Sequence, residues 1–377
     1  MTARSSDEDA LAVTDLLAAT LRGDPAAAAV LSAIDPDEVC RAAGAHGVLP
    51  LLAERLLPCA DPGDPLAERL QIAARRAVVD DVVQQRELCR ALDALHAAGI
   101  RAVLMKGAQL AYSYYARPDA RPRVDTDLFV AESDGGQVAA ALGPLGYAAV
   151  PQSAGDLLSY QTSYALVRDG ATVHLIDVHR RIANPQRFRA ALSFEEADRA
   201  AVPVPALGPH ARGLAPVQAL LLACVHPIAH HGNAHCLIWQ FDIHLVASRF
   251  TDGEWQAFAA LARHRGLAGV CRKSLELSVR DFGTLVPDAL WRDLVSESSD
   301  DAATSAYLTE GRRHIERVWW DLRALPGWRA RTRLMRQHLF PPAQYMREVY
   351  APASAAPLPW LYARRVWHGA HKWLARS

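Results

Sequence analysis

The residues of this chain best suited to chemistry lie in Val124-Asp125-Thr126-Asp127-Leu128-Phe129-Val130. Read as a strand, the segment alternates faces, so Asp125 and Asp127 project together while Val124, Thr126 and Leu128 turn the other way and enter a core. Two carboxylates held side by side repel unless a cation intervenes, and hard oxygen donors at this separation suit Mg²⁺, with Mn²⁺ as the substitute. Downstream, His174-Leu175-Ile176-Asp177-Val178-His179 supplies a third acid within an apolar strand, with Asp177 and His179 on one face. If the two strands are neighbours, Asp125, Asp127 and Asp177 converge as catalytic residues and metal ligands. Such a centre serves phosphoryl or nucleotidyl transfer, one ion activating an acceptor hydroxyl and a second neutralising the departing pyrophosphate. A lone D-x-D is more often a turn or a solvated strand edge; the third acid on a separate strand favours the metal reading.

Upstream, Val103-Leu104-Met105-Lys106-Gly107-Ala108-Gln109 puts a glycine at a strand-to-helix junction. Backbone N–H groups at a helix start bind anions, and glycine lets a phosphate approach closely. Lys106 would add a point charge there. Junctions of this kind are common, and this one gains meaning only beside the acids.

In combination these pieces resemble the polymerase-beta-like nucleotidyltransferase superfamily, whose members share a Gly-containing turn, a helix, a D-x-D strand and a third acid on a later strand. More narrowly, the sequence is similar to the bacterial family of uncharacterised nucleotidyltransferases, which shows L-K-G, a tyrosine-containing helix, an Arg shortly before D-x-D-L-h-V, and later h-D-h-H. The matching stretches are Met105-Lys106-Gly107, Tyr112 to Tyr115, Arg121, Asp125 to Val130, and Ile176 to His179. The similarity extends to His226, His230 and His231 ahead of Leu237 to Ile243, and to Leu339-Phe340-Pro341-Pro342, covering residues 66 to 370. The resemblance implies that Lys106, Gly107 and Arg121 contact a nucleoside triphosphate such as ATP. It further implies transfer of a nucleoside monophosphate to a hydroxyl acceptor, expected to be a small molecule. One departure is Ala108, which follows Gly107 where the superfamily usually has Ser or Gly, so a hydroxyl that often helps hold the triphosphate is missing.

His226, His230, His231, His235 and His244 include pairs four apart, which share a helical face. No acid accompanies them at ligand spacing, so they read as polar residues lining a cleft between a helical domain and the catalytic module rather than as a metal site. His179, His230 and Asp242 are the expected acceptor-pocket residues, Asp242 orienting a histidine or the acceptor hydroxyl. The tryptophans at 319, 320, 328, 360, 367 and 373 alternate with arginines. They read as rings anchoring short helices, in preference to a nucleobase-stacking or membrane-facing surface.

The elements that must position these residues form an α+β fold, with a small mixed-sheet module embedded between helical regions. Residues 1–98 read as an N-terminal helical region, with apolar positions recurring at three and four (Leu66, Leu70, Ala73, Ala77; Leu88, Leu92, Leu95) and a long helix ending at Gly99. Residues 99–205 read as the catalytic module. Its strands are expected over 100–105, 123–130, 160–168 and 171–179, its helices over 108–115 and 137–142, and a turn at Asp169-Gly170. A Pro-rich connector from Pro203 to Pro216 leads into residues 206–377, read as a helical domain with a basic, Trp-rich tail broken by prolines at 341, 342, 352, 357 and 359.

Formal charge is zero over 377 residues, so no bulk field draws the chain to nucleic acid, which is not an expected acceptor. The charge is segregated, however: residues 311–377 hold thirteen Arg and Lys against three Asp and Glu. The six cysteines are far apart with no zinc-ligand spacing, and there is neither an apolar leader nor an uninterrupted apolar run of about 18 residues. These features suit a cytoplasmic protein with reduced thiols. Two other functions fit the same motifs: a nucleotide-binding or regulatory protein without turnover, and a transferase acting on protein or RNA through the basic tail.

Overall fold

The computed structural model of the chain describes residues 2–150, 160–183, 185–295, 304, 306–308, 314–325, 327–350 and 356–374. Pro352 and the side chain of Trp373 lie outside the described residues.

Five helices open the chain: α1 (Thr2–Arg22), α2 (Pro25–Ser32), α3 (Pro36–Ala45), α4 (Leu49–Leu56) and α5 (Pro65–Ala97). Three of them start at an Asp-Pro step. Asp24, Asp35 and Asp64 accept hydrogen bonds from backbone N–H groups of the first turn, while proline takes the first helical position, where its missing N–H costs nothing. The long helix α5 serves two cores. Leu66 and Leu70 pack among the N-terminal helices, and Leu88, Ala91, Leu92 and Leu95 cover one face of the sheet.

The sheet has seven strands in the order β3-β4-β5-β2-β1-β7-β6. They are β1 (Ala102–Met105), β2 (Thr126–Val130), β3 (Tyr147–Ala149), β4 (Gln161–Arg168), β5 (Ala171–His179), β6 (Val202–Pro203) and β7 (Arg212–Gly213), interleaved with α6 (Lys106–Ser113), α7 (Val138–Leu142) and α8 (Phe194–Ala200). The central pair, β2 and β5, is parallel; β1 and β4 flank it antiparallel. Asp169 and Gly170 both adopt positive φ, 51° and 77°, the backbone of a tight two-residue hairpin.

The sheet divides the apolar side chains by strand parity. Leu104, Leu128, Val130, Ile176 and Val178 face α5 and α7, whereas Val103, Met105 and Phe129 face the larger core formed with the other helices. That larger core includes α9 (Pro216–His230), α10 (Leu237–Ala247), α11 (Asp252–His264), α12 (Ala268–Phe282) and α13 (Asp288–Asp293). Further helices among the described residues lie at His314–Ala324, Gly327–Leu339, Ala343–Tyr350 and Leu358–Leu374.

The fold is the expected mixed module flanked by helices, with three differences. Strands β3, β6 and β7 are too short for sequence periodicity to show, and the last two fall in or beside the Pro-rich connector. Strand β2 begins at Thr126, so Val124 does not enter a core: it is 85% exposed. The tryptophans at 319, 328, 360 and 367 are exposed as well, rather than anchoring their helices, whereas Trp320 packs against the larger core as expected. Arg323, Arg329 and Arg364 lie over the first three of these rings, sharing the surface with them. No described helix is long and apolar enough to cross a membrane.

Candidate active site

The parity that sends Leu128 and Val178 toward α5 sends Asp127 and Asp177 the opposite way. In the parallel ladder Asp127 pairs with Asp177 and Phe129 with His179, so the two acids stand side by side on adjacent strands, with His179 two residues along. All three are buried. Among the described residues they form a group able to hold one metal ion, with one donor atom from each lying within 4.8 Å of the others. Two carboxylate oxygens and an imidazole nitrogen are a chemically sound donor set for a divalent cation.

Asp127 has partners of its own. Lys106 donates from Nζ to Oδ1 at 2.6 Å, and His179 Nε2 lies 2.7 Å from the same oxygen. Burial alone would raise the Asp127 pKa, but the Lys106 charge and the His179 hydrogen bond outweigh it and hold this carboxyl well below the usual range. His179 is pushed the other way from protonation: burial, then the Lys106 ammonium, lower its pKa against the pull of Asp127.

Asp177 is clamped from the neighbouring strand. Ser163 donates from Oγ to Oδ1 at 2.5 Å and Gln161 from Nε2 to Oδ2 at 2.9 Å, because the β4–β5 register sets Ser163 opposite Asp177 and Gln161 opposite His179. Sequence reading missed both clamps.

Asp125 lines the same cleft but is not one of the three clustered donors. It precedes β2 and has no ladder partner to hold it. Burial, then the charges of Asp127 and Asp177, push its pKa up to about 6. The loop that carries it is anchored on two sides. Arg121 makes a two-pronged pair with Asp242 of α10 (Nε–Oδ1 3.1 Å, Nη2–Oδ2 2.7 Å), and Arg123 Nη2 reaches Asp81 of α5 at 2.5 Å. Tyr115 adds a hydrogen bond from its hydroxyl to Asp242 Oδ1 at 2.7 Å.

At the turn, β1 passes into α6 with no intervening loop. The change of direction falls on Lys106, whose φ is +55°, a left-handed conformation that costs a lysine about 1 kcal/mol. Gly107 has no positive φ. Its requirement is spatial, since a Cβ there would lie 3.3 Å from Nη1 of Arg121.

The turn, the acids and part of the helical region enclose one cleft of about 520 Å³. The structure thus gathers every expected site residue except His179 into its lining: Asp125, Asp127 and Asp177, Lys106, Gly107 and Arg121, and His230 and Asp242. Four roles differ from expectation. Asp125, expected as a metal ligand, stands outside the three clustered donors; Lys106 and Arg121, expected on phosphates, are engaged with Asp127 and Asp242; Asp242, expected to orient a histidine or the acceptor, holds Arg121 and Tyr115; and His179, expected in the acceptor pocket, sits among the metal-capable donors. The α9 wall presents His226, His230 and His231, with Trp239 of α10. Burial, then the Lys106 charge, lower the pKa of all three histidines, that of His230 to about 3, so the wall is lined by neutral imidazoles.

A protein-family model described as "Uncharacterised nucleotidyltransferase" matches residues 32–283, more than half of the chain. The match contains the whole cleft and stops short of Leu339-Phe340-Pro341-Pro342, so that segment has no part in it. No curated protein and no solved structure matches the chain.

Proposed function

From the premise that the chain belongs to this uncharacterised nucleotidyltransferase family, we propose that it is a metal-dependent enzyme that moves a nucleoside monophosphate from a nucleoside triphosphate to a hydroxyl of a small-molecule acceptor. The observation that carries this reading is the in-register pairing of Asp127 with Asp177 on parallel strands at the wall of a cleft large enough for a nucleotide.

A divalent ion held by Asp127, Asp177 and His179 would neutralise negative charge on the phosphates as the pyrophosphate leaves. The chain's own residues supply the rest. The β1–α6 turn presents the backbone N–H groups at the start of α6, which no side chain caps, to phosphate oxygens, and Gly107 leaves room beside them for the Arg121 guanidinium. Ser163 and Gln161 fix the Asp177 carboxylate in one orientation. The acceptor hydroxyl attacks the α-phosphorus, its proton leaves for a nearby base, and pyrophosphate departs. The neutral imidazoles and Trp239 form the wall on which the acceptor would rest.

One observation favours a second reading, nucleotide binding without turnover. Asp127 and Asp177 are already satisfied by Lys106, His179, Ser163 and Gln161, so the cluster is stable without a metal and its presence alone does not demand catalysis. Calorimetric titration with ATP, GTP, CTP and UTP, with and without Mg²⁺ or Mn²⁺, followed by pyrophosphate release against hydroxyl acceptors, tests both. Metal-dependent nucleotide binding with pyrophosphate release supports the enzyme; binding alone supports the second reading; no nucleotide binding sinks both.

A further inference from the structure

We propose that His179 is a metal ligand alongside Asp127 and Asp177, so that the centre is a mixed oxygen and nitrogen site that takes Mn²⁺ in preference to Mg²⁺. This inference rests on the metal-dependent part of the reading above and not on the transfer reaction.

The placement follows from the strand. Residues two apart on β5 share a face, so the ladder that brings Asp177 beside Asp127 also delivers His179 to the same side, with Nε2 2.7 Å from Asp127 Oδ1. The compact donor group therefore contains one imidazole and two carboxylates. Asp125, which would have added a third carboxylate, stands outside the group and precedes the strand.

The donor set discriminates between ions. Mg²⁺ demands near-ideal octahedral oxygen coordination and dehydrates reluctantly. A nitrogen donor favours first-row transition ions over Mg²⁺, and Mn²⁺, although the weakest binder of that series, is the member that shares with Mg²⁺ the preference for carboxylate oxygens. A second observation points the same way. His226 Nδ1 and His230 Nε2 are buried without a hydrogen-bond partner, on rings that line the same cleft, so the surroundings hold further unengaged nitrogen donors.

The test is a titration of Mn²⁺ into the full chain, with free ion followed by electron paramagnetic resonance and Mg²⁺ added as competitor. Wild type is compared with His179→Asp, which restores an all-carboxylate set, and with His179→Asn. The Mn²⁺ to Mg²⁺ affinity ratio should fall about tenfold in His179→Asp, and Mn²⁺ affinity should fall by about tenfold or more in His179→Asn. The pulsed spectrum of bound Mn²⁺ should show nitrogen coupling in wild type that His179→Asn removes. If a His179 variant fails to fold, His226→Gln with His230→Gln is measured instead: nitrogen coupling that survives their removal supports His179, and coupling lost with them overturns the assignment. Absence of that coupling, its persistence in a folded His179→Asn, or an unchanged ratio in His179→Asp overturns the assignment and leaves a hydrogen bond between His179 and Asp127. Nucleotide binding is measured separately: a nitrogen-coupled Mn²⁺ centre that binds no nucleotide rejects the transferase reading and keeps this one.

Discussion

The ammonium of Lys106 lies 2.6 Å from Oδ1 of Asp127, a carboxylate that also belongs to the group able to hold a metal ion. Resident cation and incoming ion therefore compete for one carboxylate. Replacing Lys106 with Met should raise the affinity of the nucleotide-free protein for Mn²⁺ by about tenfold, the size of one charge-assisted hydrogen bond. Calorimetry of the two proteins checks this; equal or weaker binding in the variant would mean that Lys106 does not stand in the ion's way.

The two strand acids should separate in their effects. Asp177→Asn should lower single-turnover transfer by about a hundredfold, on the order of 3 kcal/mol, with a smaller loss of nucleotide affinity. Asp127→Asn removes the carboxylate that joins Lys106, His179 and the ion, so it should damage both properties. Transfer by Asp177→Asn at the wild-type rate would reduce Asp177 to a structural acid.

Arg121 and Asp242 are both nearly buried and join the loop before β2 to α10. Breaking a buried pair from one side leaves an uncompensated charge, so Arg121→Ala alone should destabilise by about 3 kcal/mol, and Arg121→Met with Asp242→Leu by clearly less. Denaturant unfolding of the single and double variants measures it. Equal losses would show that the pair acts through packing and not through charge.

Asp125 gives a pH signature. Its pKa is raised from 3.8 to about 6 in the folded metal-free chain, so the charged form carries a penalty that is fully present above pH 6 and fades as pH falls toward 3.8. Asp125→Asn should therefore stabilise the metal-free protein at pH 8, by on the order of 2 kcal/mol, and have little effect near pH 4. Thermal unfolding across that range is the measurement. A constant difference at all pH values would contradict a raised pKa at this residue.

Much of this arrangement was legible in the sequence, because strand parity is a strict rule. Alternation alone put Asp177 and His179 on one face, and the Asp169-Gly170 pair marked the hairpin. What alternation could not supply was register. Counting back from that tight turn would set Thr162 opposite Asp177. A bulge near Leu166 and Val167 shifts the pairing by one residue, with Val173 unpaired, and brings Ser163 there instead. Nor could spacing foresee that Asp125 lies just outside β2, or that Arg121 would find Asp242, 121 residues away, since both depend on packing between distant helices and the sheet.

The β4–β5 hairpin has a consequence for how the site is assembled during folding. Asp177 and its two clamps come from strands joined by a two-residue turn, so that half can organise from contacts no more than 16 residues apart, on the timescale of a local hairpin. Asp127 is 50 positions upstream of Asp177 and joins only when β2 docks parallel to β5, a non-local step with a larger loop-closure cost. The chain would thus carry one acid pre-oriented into the docking step, and the like-charged pair would meet only when β1 brings Lys106 with it.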